Sequence, residues 1–361
     1  MEKRLYNYGA GPSTLPLEVL EKAQRELLVY PGYGHSVMEM SHRSKAYMEV
    51  HNRAKSVIKR LMNVPDDYEV LLLQGGASGQ FSMVPMNLAR QGEKVDYVNT
   101  GYFAKLSIKE AKRWADAEFI ATSEDKNYMY IPKVTPDMLR PGTKYLHITG
   151  NNTIEGTAYH TLPDCGDVPL VADWSSSIMG QQIDVTKHAL IYAGAQKNMG
   201  IAGITVVIVK KDAVINPGDP MVPDIMNYNI QIEQDSLHHT PAGWAVYMTA
   251  LMCEWIEANG GVAAMEALNR KKSGLLYDVI DNSDLYINTI PKEDRSLVNV
   301  TAKLPTQELT DRFAKEAEAA GMINVKGHRS VGGLRLSLYN GAPLENAEVM
   351  ADFMQKFEEN L

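Results

Sequence analysis

Short apolar runs alternate with helical patterns along the chain, and this alternation constrains the fold more than any other feature. Runs typical of buried strands occupy residues 70–73, 95–99, 118–121, 144–149, 168–173, 189–192 and 204–209. Such alternation predicts an α/β fold in which a large mixed, mostly parallel sheet has helices on both faces. In this architecture ligands gather at the carboxyl ends of the strands, so the residues that follow each run are the candidates for function.

The residues after two of these runs combine an acid with a lysine. Asp173 ends the run 168–173, and Lys197 lies in a loop of small residues between the runs 189–192 and 204–209. Most loop lysines are merely solvated, but desolvation can remove the proton of a lysine and make it a nucleophile. Pyridoxal phosphate requires a lysine that forms a Schiff base and an aspartate that keeps its pyridine nitrogen protonated. The pair therefore predicts this cofactor.

A glycine turn follows the run 70–73. Residues 74–80 read Gln-Gly-Gly-Ala-Ser-Gly-Gln, and a helix is predicted to begin near Ser78. The free N–H groups and the dipole of a helix N-terminus bind anions. The segment is not a nucleotide P-loop, because no Gly-Lys-Ser/Thr follows, and it does not match the dinucleotide fingerprint. Alone it is either a plain tight turn or a phosphate cup, and beside Lys197 and Asp173 the phosphate cup is favoured.

Composition narrows the class of protein. With 361 residues, 45% apolar and 22% charged, the chain has the length and balance of a globular protein of two domains. The net charge of −8 argues against nucleic-acid binding, and an anionic substrate would need a local cluster of cations. No run has membrane-spanning length and no signal-peptide core is seen, so a cytoplasmic protein without membrane contact is expected. Cys165 and Cys253 are too few for a disulfide framework or a cysteine-rich metal site; they are expected to be buried thiols, and no metal is expected.

The patterning predicts three segments. Residues 1–15 form a turn-rich arm associated with the small domain, residues 16–258 form the large cofactor-binding domain, and residues 259–361 form a small α+β domain. The sequence Asn259-Gly260-Gly261 is the favoured boundary, since it follows a helix predicted over 241–258. Residues 218–240 are irregular, polar and too long for a simple connector, so they are predicted to be functional or to lie at a subunit contact.

Several motifs give the sequence a family resemblance. They are Ser-Val-Met-Glu-Met-Ser-His-Arg at 36–43, Gly-Gly-Ala-Ser-Gly-Gln-Phe at 75–81, Asp-Trp-Ser-Ser at 173–176, Tyr-Ala-Gly-Ala-Gln-Lys-Asn at 192–198 and Lys-Gly-His-Arg-Ser-Val-Gly-Gly-Leu-Arg at 326–335, followed by Tyr339-Asn340. With these motifs the chain resembles the phosphoserine aminotransferase family, pyridoxal-phosphate enzymes of fold type I and class V. The lysine and aspartate motifs occur in many related enzymes, whereas the two His-Arg segments are more particular to this family.

The resemblance implies a set of cofactor contacts. Lys197 would form the Schiff base and move the proton between substrate and cofactor, and Asp173 would pair with the pyridine nitrogen. Further contacts to the phosphate and the ring are implied for Ala77, Ser78, Phe103, Thr153, Gln196 and, from the partner subunit, His239 and Thr240. Thr153 would lie on the phenolic-oxygen side of the ring. Phe103 would stack on the ring where the family often has tryptophan, while Ser78 stands where some members carry arginine and His239 where asparagine is frequent.

Arginine and histidine side chains are implied as the substrate ligands. Arg335 would grip the α-carboxylate as a bidentate fork. His42 and Arg43 of one subunit would hold the distal anion together with His328 and Arg329 of the other. A phosphomonoester near neutral pH is almost a dianion and needs several donors. One separate arginine and two His-Arg pairs therefore fit a substrate that carries one carboxylate and one phosphate.

The resemblance thus implies a homodimer with shared active sites. The enzyme would move an amino group reversibly between L-glutamate and 3-phosphohydroxypyruvate, giving O-phosphoserine and 2-oxoglutarate for serine biosynthesis, and would also act in pyridoxine biosynthesis. Within the same fold, the alternatives are an alanine/serine–glyoxylate aminotransferase, which does not need two His-Arg pairs, and a cysteine desulfurase, which needs a reactive cysteine on a mobile loop. Outside that fold family, a non-catalytic binding protein or a dinucleotide-dependent oxidoreductase shares the alternating pattern.

Overall fold

This computed structural model describes residues 4–361 of the chain. The described residues are organised around one large sheet. In chain order, the strands of the described residues are β1 (Tyr6–Asn7), β2 (Tyr68–Leu73), β3 (Lys94–Asn99), β4 (Asp116–Thr122), β5 (Leu146–Thr149), β6 (Asn151–Asn152), β7 (Thr157–Ala158), β8 (Leu170–Asp173), β9 (Leu190–Gly194), β10 (Thr205–Lys210), β11 (Asn299–Ala302), β12 (Met322–Ile323) and β13 (Leu334–Ser337). Seven of these strands form the large sheet, in the order β2-β10-β9-β8-β5-β3-β4. Its strands from β9 to β4 are parallel, and β10 is antiparallel to both β2 and β9. The predicted mixed, mostly parallel sheet is confirmed.

Helices cover both faces of this sheet. In the described part of the chain they are α1 (Leu17–Glu26), α2 (Lys45–Leu61), α3 (Gly76–Leu88), α4 (Tyr102–Ala111), α5 (Tyr228–Glu233), α6 (Gly243–Ala258), α7 (Gly261–Asp281), α8 (Gln307–Ala319) and α9 (Leu344–Glu359). On β10, Val206 and Ile208 belong to the core cluster that includes residues of α2 and α6, whereas Val207 and Val209 belong to the cluster on α3 and α4. Since alternate side chains of a strand point to opposite faces, both faces are buried, and this explains why the strands read as continuous apolar runs.

The last part of the chain packs around a separate apolar cluster. That cluster joins α7, α8 and α9 to β11 and β13, and it includes Tyr8 from the first residues of the described chain. β1 pairs with β12 in parallel, so the N-terminal arm adds a strand to this part of the molecule. The division into an arm, a large domain and a small domain stays a prediction, and the separate apolar cluster supports it.

Three local expectations need correction. α3 begins at Gly76 rather than near Ser78, because the turn before it is short. The segment 218–240 contains the short helix α5. Cys165 is half-buried, and only Cys253 is fully buried.

Among the described residues, no helix combines the length and the apolar character that crossing a bilayer requires.

Candidate active site

The carboxyl ends of β8 and β9 bring an acid and a lysine to the same edge of the sheet. Asp173 is the last residue of β8 and lies opposite Tyr192 of the parallel neighbour β9, whose end leads into the loop that carries Lys197. The Asp173 side chain is buried, and its Oδ1 accepts the N–H of Ser175 at 2.9 Å. Burial raises the pKa of Asp173, while the nearby charge of Lys197 lowers it. A buried carboxylate of this kind is stabilised by a cation in front of it.

Lys197 is half-buried, and its amine makes one hydrogen bond. The Nζ atom donates to Oγ1 of Thr153 at 2.8 Å. Burial lowers the pKa of Lys197 to about 8; the Asp173 carboxylate opposes this, and the positive charge of Arg335 adds to it. A substantial fraction of the amine is therefore neutral and nucleophilic near physiological pH.

The N-terminal arm lies against this lysine. Gly11 has φ +126°, and a Cβ atom at that position would lie 3.2 Å from Cγ of Lys197. The hydroxyl of Ser13 donates to the main-chain carbonyl of Lys197, and the N–H of Ser13 donates to that of Gln196 at 3.0 Å. The sequence analysis noted this turn-rich arm but gave it no role at the site. The Gly-Ala-Gly-Pro sequence at 9–12 is the signal that could have suggested a close approach.

The glycine turn after β2 forms a helix N-terminus without a side-chain cap. Gly75 (φ +98°) and Gly76 (φ +65°) make the turn, and Ala77 and Ser78 follow in the first turn of α3. Two buried polar atoms beside it, Nε2 of Gln74 and Nδ1 of His239, have no hydrogen-bond partner among the described residues. The Gln74 amide nitrogen and the N–H groups of the turn are donors that fit the oxygens of a phosphate.

His239 reaches this turn within its own chain. Its Nε2 atom bonds to Oε1 of Gln74, directly before Gly75. Burial lowers the pKa of His239, and the charges of His238 and His42 lower it further, so His42 lies on the same side of the molecule. Thr240 is exposed. The predicted contact of His239 and Thr240 with a partner's cofactor is not tested by a single chain.

An aromatic ring faces the lysine from the start of α4. The centroid of the Phe103 ring is 5.3 Å from Nζ of Lys197. Glu155 fixes the start of this helix, because its Oε1 accepts the N–H of Tyr102 at 2.8 Å. Gly101 (φ +149°) is needed there, since a Cβ atom would lie 2.4 Å from the Glu155 carboxyl carbon. Burial raises the pKa of Glu155. The sequence analysis assigned Glu155 no role.

Arg335 on β13 is a cation whose charge acts on this group of residues. Its guanidinium is half-buried, influences the pKa of Lys197, and makes no hydrogen bond to any other described residue. His328 lies beside it: burial lowers the pKa of His328, and the charges of Arg335 and Arg329 lower it further. The His328 ring is 5.4 Å from that of Tyr102, and Arg329 is exposed.

The two predicted His-Arg pairs do not meet within one chain. His42 is half-buried and Arg43 is exposed at the approach to α2. Among residues 4–361, no hydrogen bond, ion pair or ring contact joins this pair to His328 or Arg329. The structure thus brings Arg335, His328 and Arg329 to the lysine's side of the molecule and leaves His42 and Arg43 on the side of His239.

The family model of the class-V aminotransferases matches residues 5–350. The chain belongs to the class-V aminotransferases. The phosphoserine aminotransferase of Listeria monocytogenes serovar 1/2a is 52% identical to this aminotransferase over 357 residues, covering 98% of this chain and 97% of that protein. A solved phosphoserine aminotransferase from Bacillus circulans subsp. alkalophilus matches with a TM-score of 0.96 and 43% identity, covering 99% of each chain. The pyridoxal-phosphate-bound enzyme from Trichomonas vaginalis has a TM-score of 0.92 and 34% identity, covering 98% of this chain and all 100% of that one.

This aminotransferase depends on pyridoxal phosphate, and its own residues fit that cofactor. The buried Asp173 offers a negative charge to a ring nitrogen, and Lys197 offers an amine. The uncapped start of α3, together with the unpaired Gln74 amide nitrogen, offers donors to a phosphate. Acid, amine and anion cup thus supply the three kinds of group that the cofactor requires.

Proposed function

We propose that the chain transfers an amino group reversibly between L-glutamate and 3-phosphohydroxypyruvate, giving O-phosphoserine and 2-oxoglutarate. Arg335 carries this proposal: a half-buried guanidinium without a hydrogen-bond partner in the described chain lies close enough to Lys197 to lower its pKa. Such a guanidinium is suited to bind the carboxylate of an amino acid next to the reacting amine. Full-length relatives named phosphoserine aminotransferase support the phosphorylated substrate, and an alanine/serine–glyoxylate aminotransferase is not favoured.

The residues of the chain have separable tasks in this proposal. Pyridoxal phosphate, when bound, supplies a ring that accepts electrons from the substrate carbon. Lys197 supplies the amine that holds the cofactor and then carries a proton at Nζ. Asp173 keeps a positive charge at the ring nitrogen, and Phe103 covers one side of the site. Arg335 orients the substrate through its α-carboxylate.

The proposal also includes a homodimer with shared active sites. His42 and Arg43 of one subunit would hold the distal phosphate with His328 and Arg329 of the other, and His239 and Thr240 would approach the partner's cofactor phosphate. The support is that the two His-Arg pairs do not touch within one chain, although a dianion needs donors from several sides. With one side-chain carboxylate in place of the phosphate, the same pocket would accept glutamate.

The proposed setting is the cytoplasm, in serine biosynthesis, with a second role in pyridoxine biosynthesis. Cys165 and Cys253 are both unpaired, which fits a reducing compartment. A second activity on a phosphorylated hydroxythreonine precursor would use the same anion pocket, because that compound also carries a carboxylate and a phosphate.

A turnover assay tests the reaction. Glutamate-dependent conversion of 3-phosphohydroxypyruvate is measured against glyoxylate, pyruvate and hydroxypyruvate. We expect the phosphorylated substrate to have the highest kcat/KM, and a preference for glyoxylate would overturn the proposal. Arg335→Ala should weaken the capture of every amino acid, whereas Arg43→Ala should impair phosphorylated substrates most.

Mixed dimers test the shared site. Arg43→Ala and Arg329→Ala are each expected to be nearly inactive with phosphorylated substrates, but subunit exchange between them should restore activity. If each site takes Arg43 from one subunit and Arg329 from the other, random mixing leaves about a quarter of the sites intact. If both arginines came from one chain, every site would keep a defect and mixing would restore nothing.

A further inference from the structure

A buried chain of hydrogen bonds connects the N-terminal arm with Lys197. It begins at the carbonyl of Ala10, which accepts the hydroxyl of Tyr339 at 2.9 Å. From Tyr339 it continues through the side chains of Asn299, Asn151 and Ser176 to the hydroxyl of Thr153, which contacts Nζ of Lys197. Ser176 and Asn151 do not touch Lys197, but acceptor-only carbonyls fix the direction of the hydrogen bonds from Ala10 as far as Ser176.

The first half of the chain is fixed by the carbonyl of Ala10. A carbonyl only accepts, so the Tyr339 proton points to it, and the Asn299 atom 3.1 Å from the Tyr339 oxygen must be the amide nitrogen. The other end of the Asn299 amide is then an oxygen. It accepts from Nδ2 of Asn151 at 2.8 Å, which fixes the orientation of the Asn151 amide as well.

The second half is fixed by the main-chain carbonyl of Asn151. This carbonyl accepts the Ser176 hydroxyl at 3.1 Å, and Nδ2 of Asn151 donates to the same Ser176 oxygen at 2.8 Å. The Ser176 proton is thereby used, and one lone pair remains for the hydroxyl of Thr153, 3.0 Å away. The Ser176 oxygen therefore accepts the Thr153 proton in competition with the Tyr339 phenol, which this hydroxyl also reaches, and the Thr153 oxygen faces the Lys197 nitrogen at 2.8 Å.

We propose that Ser176, oriented by Asn151, is a positioning residue: it holds the Thr153 hydroxyl so that its oxygen accepts from the Lys197 nitrogen and cannot donate to it. An oxygen held in this way favours a protonated nitrogen. Without Ser176, the Thr153 hydroxyl is free to turn and to donate to an unprotonated nitrogen. This inference rests on the proposed role of Lys197 as the amine that holds the cofactor.

The other groups that face Lys197 are unchanged by a substitution at Ser176. The Asp173 carboxylate favours the charged amine and the Arg335 guanidinium disfavours it. The Tyr339 phenol is neutral, because burial raises its pKa above the ordinary value. A change in the Lys197 pKa on removal of the Ser176 hydroxyl would therefore come from the Thr153 oxygen.

Ser176→Ala tests the proposal, and Ser177→Ala is its matched control. The Ser177 hydroxyl is also buried but has no hydrogen-bond partner among the described residues, so its removal leaves a comparable space without changing the chain. The first readout is the pH at which the visible absorbance of the cofactor-loaded protein changes. The second is the pH dependence of acylation of Lys197 in the cofactor-free protein, measured by mass spectrometry.

We expect Ser176→Ala to lower both midpoints by roughly 0.5 to 1 pH unit, which is the size of one net hydrogen bond, and Ser177→Ala to leave them unchanged. In a Thr153→Val background, Ser176→Ala should have no further effect, because its influence passes through the Thr153 hydroxyl. Should Ser176→Ala fail to fold, Ser176→Cys is expected to change the midpoints in the same direction by less.

Equal midpoints for the Ser176 and Ser177 variants, or an effect of Ser176→Ala that persists in Thr153→Val, would overturn the proposal. Reduction of the cofactor-loaded protein with borohydride identifies the modified lysine by mass spectrometry. Modification of a lysine other than Lys197 would overturn the proposed function. A modified Lys197 with unchanged midpoints would overturn only the role of Ser176.

Discussion

Two lysines of this chain are held in low-dielectric surroundings, and only one of them has capacity left for a ligand. Burial lowers the pKa of Lys197 to about 8 and that of Lys272 to about 7. Lys272 on α7 is fully buried, and its three N–H groups donate to the carbonyls of Leu338, Tyr339 and Ala342 at 3.0, 2.8 and 3.0 Å. Among the described residues, the amine of Lys197 makes a single hydrogen bond, to Thr153, and it faces an aromatic ring. A lowered pKa does not by itself identify a reactive lysine; the unused hydrogen-bonding capacity and the access to it do.

The largest expected effect comes from removing Lys197, the lysine whose amine has unused hydrogen-bonding capacity. Lys197→Ala should lower transamination by at least about 10³-fold, because both the attachment of the cofactor and the proton carrier are lost. The thermal unfolding midpoint, measured by circular dichroism, should change little, since the lysine side chain makes one hydrogen bond to the described residues. Full activity in this variant would show that the comparison assigns the wrong lysine.

The second effect concerns the lysine whose donors are all used. Lys272→Met should reduce the free energy of unfolding by about 3 kcal/mol, because three buried carbonyls lose their donor. Lys271→Met is the control, since Lys271 is the exposed neighbour on the same helix. Urea unfolding followed by fluorescence measures both variants. A Lys272 variant as stable as the Lys271 variant would contradict the structural role of Lys272. The cofactor is expected to attach to both variants, because each of them keeps Lys197.

A third expectation separates the two lysines by pH and access. In the cofactor-free protein, acylation of Lys197 should increase with a midpoint near pH 8, because only the neutral amine reacts and burial lowers its pKa to about 8. Below that pH the ammonium form protects Lys197. Lys272 should stay unmodified at every pH at which the protein is folded, despite its own lowered pKa, because no reagent reaches it. Modification of Lys272 in the folded protein would break the distinction.

The smallest effect refines the electrostatics of the reactive lysine. Arg335→Ala removes a positive charge that lowers the Lys197 pKa, so the acylation midpoint should increase by less than about 1 pH unit. The unfolding behaviour linked to Lys272 should be unaffected. A decrease of the midpoint would mean that Arg335 does not act on Lys197 as a charge.

The sequence allowed the prediction of the parts of the site that are local patterns at strand ends. Asp173 and Lys197 follow apolar runs and Gly75 begins a glycine turn, so each could be recognised without knowledge of its neighbours. The direction of β10 could not be predicted, because a fully buried strand reads the same in a parallel and an antiparallel pair.

Contacts between distant segments were beyond the sequence analysis. The interaction of Glu155 with the start of α4 depends on how two loops meet, and nothing in either segment specifies the other. Lys271 and Lys272 are the same residue type in adjacent positions, and only the helical period distinguishes them. Asn269, Lys272 and Leu276 share the buried face of α7, so that period could have indicated a buried lysine, although not its three carbonyl partners.

The pairing of β1 with β12 has a consequence for the order in which the protein can be completed. Tyr6 and Asn7 are synthesised long before their partners Met322 and Ile323, which form the last strand but one of the described chain. Until those residues leave the ribosome, the strand that anchors the arm, and with it Gly11 and Ser13, has no partner. A nascent chain can therefore form its central sheet early, yet it completes the surroundings of Lys197 only after Met322 and Ile323 have been synthesised.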